Sequence, residues 1–470
     1  MKKVTFGVIV STRGFFPVSL AEKGRKEIIA KLENLGYDHV ILSEADTKYG
    51  VVETYKDAKK CAEIFKANRD RIDGIIVILP NFGDEVGVVN AIKLSELNVP
   101  VLVQASDDDL DKMDIAHRRD SFCGKISVTA NLYQYGIRYT DTTLHSCAIN
   151  SDVFSEDIHY FAKICRVVNG LRKARIGAIG ARPGAFQTVR FSEKLLQASG
   201  VTVIPVDLSE IMFAALKMEN TPEVIAKVKE IKSYGKIIPG ISEEKILKQA
   251  KFILVVEKWL SENECDASAI TCWTSIELNY GIAPCLAMSM MGEKGMPSAC
   301  EMDITGALSM YALYLASGEP SGYLDWNNSY KDDRNKCINI HCSNFPKSFM
   351  GRDFEIGNLD VLSQTVGEDI TFGPCKANVA GGPMTYAKIS TDDTKGKIKA
   401  YIGEGEFTDD PVETGGAPAV VSINDLQGLM HYIGQNGFEH HIAMNRSRSA
   451  KILAEALGKY LGWDLYIHKD

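Results

Sequence analysis

The sequence predicts an α/β protein with two doubly wound domains, followed by a β-rich, barrel-like C-terminal domain. From residue 4 to about residue 272, short apolar runs such as Gly74–Leu79 alternate with amphipathic helical segments. That alternation is typical of parallel sheets covered by helices on both faces. After about residue 345, glycine and proline separate short alternating strands, which favours a small antiparallel barrel or sandwich. The 470 residues allow two to four domains.

The first domain is predicted from four strands separated by three helices. The strands are Val4–Val10, His39–Leu42, Gly74–Leu79 and Pro100–Gln104, and the helices are Leu20–Leu35, Thr54–Arg69 and Glu85–Leu97. Ligands of such sheets bind at the carboxyl ends of the strands, which makes Arg13, in the loop after the first strand, a candidate for substrate contact. That loop has one glycine where a dinucleotide site needs three, and the chain has no Gly-Lys-Ser/Thr phosphate loop.

The second domain is predicted to repeat the alternation. Its elements are a helix Ser155–Lys173, strands Arg175–Ile179, Val201–Val206 and Ala269–Cys272, and helices Phe186–Ala198 and Ala307–Ala316. The Gly180–Gly184 segment between strand and helix is either a tight turn or a cradle that binds an anion through backbone N–H groups.

The last domain is predicted to be rich in strands. They are Ala377–Ala380, Met384–Ser390, Lys397–Glu404 and Ala419–Ile423, closed by a helix Ser449–Leu461. The predicted domains are therefore residues 1–150, 151–345 and 346–470.

Composition excludes several classes of protein. The net charge of −8 gives no electrostatic footprint for nucleic acid. No apolar run approaches the roughly 18 residues of a membrane span, and the first apolar run fits a buried strand better than a signal peptide. The eleven cysteines form no Cys-x-x-Cys pair, which argues against a zinc ribbon or a disulfide framework. We expect a cytoplasmic protein without nucleic-acid or membrane partners.

Four places carry side chains suited to metal chemistry. Glu301 lies in a small, apolar stretch before a helix, Asp325 ends an apolar pair, His341 ends a short strand, and His440 and His441 are adjacent. Each has a plain structural alternative, such as a helix N-terminal charge, an Asx turn or a buried structural histidine. Adjacent histidines in a strand point to opposite faces, so one of the pair is expected to face a site. Together these groups form an oxygen-and-imidazole set that suits Mn²⁺ or a similar divalent cation.

The chain also resembles a known family in three segments. Arg119–Ser127 with Asn131–Ile137, Ala299–Leu308 and the late His440-His441 pair are similar, in this order, to the L-fucose isomerase and L-arabinose isomerase superfamily. The resemblance is closer to the fucose isomerase branch, although this chain is shorter than the bacterial fucose isomerases. It implies two Rossmann-like domains, a β-rich C-terminal domain, a Mn²⁺-dependent site and a homo-oligomer, a hexamer.

Residue by residue, the resemblance places metal ligands on Glu301, Asp325 and His441. The arabinose branch adds a histidine at the position of His341. The implied activity is aldose–ketose isomerisation through a cis-enediol, with Glu301 and Asp325 as the acid/base pair. Candidate sugar contacts are Trp326, Asn327, Arg13 and His440. Trp326 and Trp273 either stack on the sugar or belong to the core.

The sequence leaves the substrate open. A deoxy sugar, a pentose or a modified hexose fits the resemblance, and a sulfosugar, sulfoquinovose, is an alternative. Arg446 and Arg448 follow the histidines and either meet an anionic sugar terminus or form a solvated basic stretch. Two other classes are alternatives. A non-catalytic sugar-binding protein shares the two α/β domains but usually lacks the β-rich domain and the metal ligands, and a metal-dependent aldolase shares the metal-assisted enediolate chemistry.

Overall fold

The computed structural model describes residues 2–469 and divides into two compact units, residues 1–169 and 170–470. Among the described residues, no helix combines the length and apolar character that a membrane crossing needs. The predicted division into three domains stays a prediction, as does the number of Rossmann-like domains.

The first unit is built on a parallel sheet. Its elements are β1 (Thr5–Val10), α1 (Val18–Asn34), β2 (Asp38–Ile41), α2 (Tyr55–Ala67), β3 (Gly74–Leu79), α3 (Glu85–Ser95), β4 (Val101–Ala105), α4 (Ser121–Gln134), β5 (Thr140–Asp141) and α5 (Asp152–Leu171). The strand order is β2-β1-β3-β4-β5, and every pair is parallel. Alternate residues of β3 enter different core clusters: Ile75 and Val77 pack on one side, Ile76 and Ile78 on the other. Helices therefore cover both faces of the sheet, as the continuous apolar strands predict.

The second unit begins with another parallel sheet. Its elements are β6 (Arg175–Ile179), α6 (Glu193–Ala198), β7 (Thr202–Val206), α7 (Leu208–Lys217), α8 (Pro222–Tyr234), β8 (Lys236–Ile237), α9 (Glu243–Glu262), β9 (Ala267–Ile270), α10 (Ser275–Tyr280), α11 (Cys285–Glu293), β10 (Ser298–Ala299) and α12 (Ile304–Ser317). The strand order is β10-β9-β6-β7, and all pairs are parallel. The carboxyl ends of β10, β9 and β6 therefore lie side by side at one edge.

The rest of the chain is rich in strands. It contains β11 (Ser321–Tyr330), β12 (Asp333–His341), α13 (Lys347–Met350), β13 (Glu355–Asn358), α14 (Asp360–Val366), β14 (Phe372–Lys376), β15 (Gly382–Asp392), β16 (Lys397–Thr408), β17 (Ala417–Ser422), α15 (Leu426–Gln435), β18 (His441–Asn445), α16 (Ala450–Leu453) and β19 (Asp464–Ile467). Strands β15-β18-β11-β12-β17-β16 are antiparallel neighbours, and β16 pairs again with β15, so the sheet closes on itself. Closure removes the exposed strand edges of an open sheet. The prediction of a β-rich C-terminal sheet is confirmed, and its first two strands precede the boundary predicted near residue 345.

Three predicted elements differ from the structure. The predicted helix Phe186–Ala198 is helical only from Glu193, where Ser192 caps it, with a 3₁₀ turn at Gln187–Val189. The segment Ala377–Ala380, which was predicted to be a strand, has no regular secondary structure, because strand β14 ends at Lys376. The closing helix continues after Leu453 as a π-helical segment, Ala454–Tyr460. The segment that begins at Phe186 is not helical from its start because the ring of Phe186 packs against the rings of Trp273, His440 and His441. The helical pattern of the sequence does not reveal these contacts.

Candidate metal centre

Neighbouring barrel strands bring the predicted ligands together. Asp325 on β11 lies directly opposite His441 on β18 in the antiparallel register. Residues in that relation share one face of the sheet and have Cβ atoms about 5 Å apart. His341 ends β12, the other neighbour of β11. The barrel thus supplies three of the four predicted ligands from adjacent strands.

Glu301 reaches the same place from the parallel sheet. It follows β10 and, together with Met302, adopts a left-handed backbone conformation, with φ of 59° and 58°. Such conformations are uncommon outside glycine and cluster at functional sites. They form a sharp turn between β10 and the start of α12, and Glu301 is buried there.

The ligand atoms lie close to one another. Nε2 of His441 is 3.0 Å from Oε2 of Glu301 and 3.4 Å from Oδ1 of Asp325, and Nε2 of His341 is 3.9 Å from the same Glu301 oxygen. Atoms of Glu301, His341 and His441 all lie within 4.8 Å of one another, and so do atoms of Asp325, His440 and His441. The structure therefore gathers all five predicted carboxylates and imidazoles into one cluster.

The cluster has unsatisfied polar atoms at its centre. Oε2 of Glu301, Oδ1 of Asp325 and Nε2 of His441 are buried and have no hydrogen-bond partner among the described residues. Buried polar atoms without partners are costly, and a cation among them would remove that cost. The donor set of carboxylate oxygens and imidazole nitrogens without thiolates fits Mn²⁺ or a similar divalent ion.

The electrostatics of the cluster favour the ionised form of Glu301. Burial disfavours the charged form of Glu301, but the nearby imidazoles of His341 and His441 outweigh it and hold the pKa of Glu301 below its ordinary value. Burial also acts against the charged form of His441, but the hydrogen bond with Asp303 and the nearby carboxylate of Glu301 raise its pKa to about 9. The pKa of the more exposed His440 is lowered by burial and by the neighbouring His441.

Both histidines of the late pair face the site, which differs from the expectation that only one would. Nε2 of His440 lies 3.8 Å from Oδ1 of Asp325. The reason is that β18 begins at His441, so His440 lies in a bend where strand alternation does not apply.

Outside the ligands, Asp303 is the residue that sequence reasoning left without a role in the site. Its Oδ2 lies 3.0 Å from Nδ1 of His441, and it also accepts hydrogen bonds from Lys388 Nζ at 3.0 Å and from Tyr323 Oη. Its Oδ1 caps α12 by accepting from the backbone N–H of Gly306. A carboxylate on the far nitrogen of a metal-ligating histidine fixes the ring and its tautomer. The signal in the sequence was the Glu301-x-Asp303 spacing, which cannot show what the second carboxylate contacts.

Trp273 orients Glu301. The indole Nε1 of Trp273 donates to Oε1 of Glu301 at 3.0 Å, which leaves Oε2 for the cluster. Trp326 instead packs against the core of the barrel and donates to Tyr401 Oη, at 2.9 Å. Its proposed contact with a sugar stays a prediction.

Two cavities border the cluster. A cavity of about 250 Å³ is lined by Glu301, Asp325 and His341, and the predicted sugar contact Asn327 also lines it. A larger cavity of about 930 Å³ is lined by Met302 and Glu439, the chain neighbours of Glu301 and His440. Three of the predicted ligands therefore line the smaller cavity, and the larger cavity lies beside the chain neighbours of two cluster residues.

The remaining predicted basic contacts have other partners. Arg13 belongs to the first unit, where it pairs with Glu85 and lies 4.2 Å over the ring of Phe82. Arg446 donates to the carbonyl oxygens of Ala380 and Gly381, and Arg448 pairs with Glu406.

Comparison with known proteins identifies the class. Residues 7–172 match the model of the fucose/sulfoquinovose isomerase N-terminal domain, and residues 339–468 match that of the L-fucose isomerase C-terminal domain. Together with the cluster of carboxylates and histidines, these matches define an aldose–ketose isomerase, as predicted. The chain belongs to the fucose isomerase-like superfamily.

Curated relatives agree with this assignment. A sulfoquinovose isomerase from Priestia aryabhattai is 25% identical over 308 residues, which cover 65% of this chain and 67% of the relative. Sulfoquinovose isomerases from Alkalicoccus urumqiensis and a Clostridium species are 24% and 27% identical and cover 62% and 61% of this chain, and 65% and 63% of their own lengths. A solved glucose-galactose binding protein from Geobacillus stearothermophilus matches 67% of this chain and 92% of its own at 17% identity, but its TM-score of 0.15 is too low to bear on the fold.

Proposed function

We propose that the protein is a metal-dependent aldose–ketose isomerase acting on a sulfonated hexose, sulfoquinovose, through a cis-enediol. The observation that carries the metal dependence is the group of unpartnered atoms of Glu301, Asp325 and His441 at the centre of the cluster. The names of the relatives support the choice of sugar. L-fucose is the second candidate, because the matching C-terminal family model is that of L-fucose isomerase.

Glu301, Asp325, His441 and His341 would hold the divalent cation, with Mn²⁺ the expected ion. When bound, the cation supplies Lewis-acid polarisation of the carbonyl and hydroxyl oxygens at C1 and C2 of the sugar.

Glu301 and Asp325 carry the proton transfers. One carboxylate removes the proton from C2 as the carbonyl oxygen at C1 gains a proton, which gives the cis-enediol; the hydroxyl at C2 then loses its proton and C1 gains one, which gives the ketose. Trp273 holds one oxygen of Glu301, so the other oxygen remains directed at the cluster. The charge of His441 is balanced by Asp303 behind it.

Removal of the metal tests this proposal directly. Dialysis against a chelator should abolish conversion of the aldose to the ketose, and Mn²⁺ should restore it. The Glu301→Gln variant should lower kcat on the order of 10²–10⁴-fold, because it removes a proton-transferring group. Glu262→Gln, at an exposed ion pair on α9, is the matched control and should keep wild-type activity.

The sugar is tested with a panel of sulfoquinovose, L-fucose, D-arabinose and L-arabinose, each with Mn²⁺ and with product analysis. Full activity after chelation, or in Glu301→Gln, would contradict the metal and acid/base assignment. Preference for L-fucose over sulfoquinovose would replace the first candidate sugar with the second.

A further inference from the structure

The loop between β6 and α6, residues 180–192, lies against the metal cluster but has no part in the chemistry described above. The ring of Phe186 contacts the rings of Trp273, His440 and His441 at centroid distances of 5.6–5.7 Å. Thr271, which follows β9, donates to the carbonyl oxygen of Ala181 at 2.6 Å and holds the beginning of the loop. The loop is therefore part of the wall around the cluster.

The sheet order sets how far this loop is from the ligands. Glu301 follows β10, Trp273 follows β9 and Arg182 follows β6, and these three strands are successive neighbours. Two strand spacings of about 4.8 Å separate β10 from β6, so the backbones bearing Glu301 and Arg182 leave the sheet about 10 Å apart.

Arg182 has donors that are not used by a carboxylate. Its Nη1 donates to the carbonyl oxygens of Pro183 and Gly184, at 3.1 and 3.4 Å, and no ion pair involves it within residues 2–469. The side chain is half-buried and lines the 930 Å³ cavity next to Met302.

The lysines around the two cavities are already paired with carboxylates. Lys395 and Lys399 pair with Asp392, at 3.7 and 4.0 Å, and Lys376 of the smaller cavity pairs with Asp360 at 2.5 Å. Arg190, in the same loop, also has no ion pair within the described chain, but it is exposed.

One acidic group of the larger cavity, Glu439, is engaged by other residues. It accepts from Ser390 Oγ at 2.6 Å and faces Lys388 Nζ at 3.9 Å. The cavity is also lined by Asp392 and Asp393, and no carboxylate of the described residues lies within ion-pair distance of Arg182.

We propose that Arg182 is the specificity-determining residue that binds the anionic terminus of the sugar, the sulfonate on C6. This inference rests on the proposed function. Five bonds separate the sulfur from C2. An extended chain advances about 3.3–3.6 Å for every three bonds, so the sulfur lies about 6 Å from C2. The length of the sugar from C2 to the sulfur, added to the length of the arginine side chain, spans the roughly 10 Å between the backbones that bear Glu301 and Arg182. A guanidinium fork matches the oxygens of an oxyanion better than an ammonium group does.

The test compares sulfoquinovose binding and turnover in Mn²⁺-loaded wild type, Arg182→Gln and Arg182→Lys. Isothermal titration should show a Kd for sulfoquinovose that is about 10–100-fold weaker in Arg182→Gln, since a charged hydrogen-bonded pair is lost. KM should rise in parallel while kcat at saturation stays within about threefold, because the proton transfers do not involve Arg182. Arg182→Lys should recover part of the affinity. Arg448→Gln, whose guanidinium pairs with Glu406, is the matched control and should bind as wild type.

The outcomes separate this inference from the function on which it rests. Unchanged Kd in Arg182→Gln overturns the assignment of Arg182, and a selective loss in Lys376→Met would move the anion site to the smaller cavity. Wild-type turnover of L-fucose without sulfoquinovose binding overturns the anionic substrate but keeps the isomerase. No isomerisation of any sugar in the panel overturns the proposed function itself, and this inference with it.

Discussion

Asp303 is the residue whose contacts connect the cluster of proposed ligands to the rest of the fold. It is fully buried, it caps α12 and it accepts from Lys388 while it faces Nδ1 of His441. Burial raises the pKa of Asp303, but the charge of Lys388 and the hydrogen bond with His441 outweigh it and leave the pKa below its ordinary value. An ionised Asp303 holds His441 with Nε2 toward the ligands.

Asp303→Asn should therefore weaken metal binding without removing a ligand. We expect a loss of Mn²⁺ affinity of about 10–100-fold, the usual effect of losing such an outer carboxylate. Titration of metal-free protein with Mn²⁺ measures it. Asp266→Asn, which changes a carboxylate that binds the backbone of Arg175, is the control. Equal affinity in Asp303→Asn and wild type would show that His441 is oriented without Asp303.

Glu277 is a buried carboxylate that the mechanism does not use. It lies in α10, is fully buried, and neither of its carboxylate oxygens has a hydrogen-bond partner among the described residues. Burial raises the pKa of Glu277 to about 8. Because the folded pKa is above the unfolded value of about 4.3, the folded state binds the extra proton and stability falls as pH rises from about 4.3 to about 8.

Glu277→Gln should remove that pH dependence. The variant should unfold at a higher temperature than wild type at pH 8, by a free energy on the order of a few kcal/mol, and show little gain at pH 4.5. Thermal unfolding at the two pH values measures the difference. Glu244→Gln, at an exposed ion pair, should leave the pH profile unchanged. A gain of equal size at both pH values would mean that the titration of Glu277 is not its cause.

At the scale of elements, the first turn of α12 packs in close contact with strand β11. A Cβ atom added to Gly306 would lie 2.2 Å from Oη of Tyr323, whose hydroxyl binds Asp303. The close approach of helix and strand therefore requires a glycine at this position.

Gly306→Ala should destabilise the protein by about 1–3 kcal/mol through overpacking, although alanine favours helices. Gly434→Ala is the matched control, because Gly434 lies in helix α15 with nothing within 4 Å of an added Cβ, and there the substitution should stabilise slightly. Denaturant unfolding of both variants measures the pair. Stabilisation of both would show that Tyr323 moves away without cost.

Some elements can be located from the local sequence pattern alone, and others cannot. The strands Gly74–Leu79 and Arg175–Ile179 have the predicted bounds, because a continuous apolar run between turn signals identifies a buried strand. The segment from Phe186 was predicted as a helix and is largely a loop, because its aromatic side chain packs on the rings of the metal cluster. Local periodicity contains no information about that partner.

At the scale of the whole molecule, the chain forms two compact units, and all four proposed ligands belong to residues 170–470. The family assignment agrees with a sugar-metabolising enzyme. The cytoplasmic location and the hexamer stay predictions.

By itself, the sequence determined the parallel α/β character, the β-rich ending, the isomerase family and the residues proposed as ligands. The fold character depends on the alternation of apolar runs, and the candidate ligands on rare side chains, since nine histidines leave few candidates. The family depends on the resemblance of three segments to known isomerases. Only the tertiary structure decided that Asp303 supports His441, that both His440 and His441 face Asp325, and that Arg182 stands in the wall of the site without a carboxylate partner. Each of these follows from strands and loops that are far apart in the chain but adjacent in a sheet, and that adjacency has no local signal in the sequence.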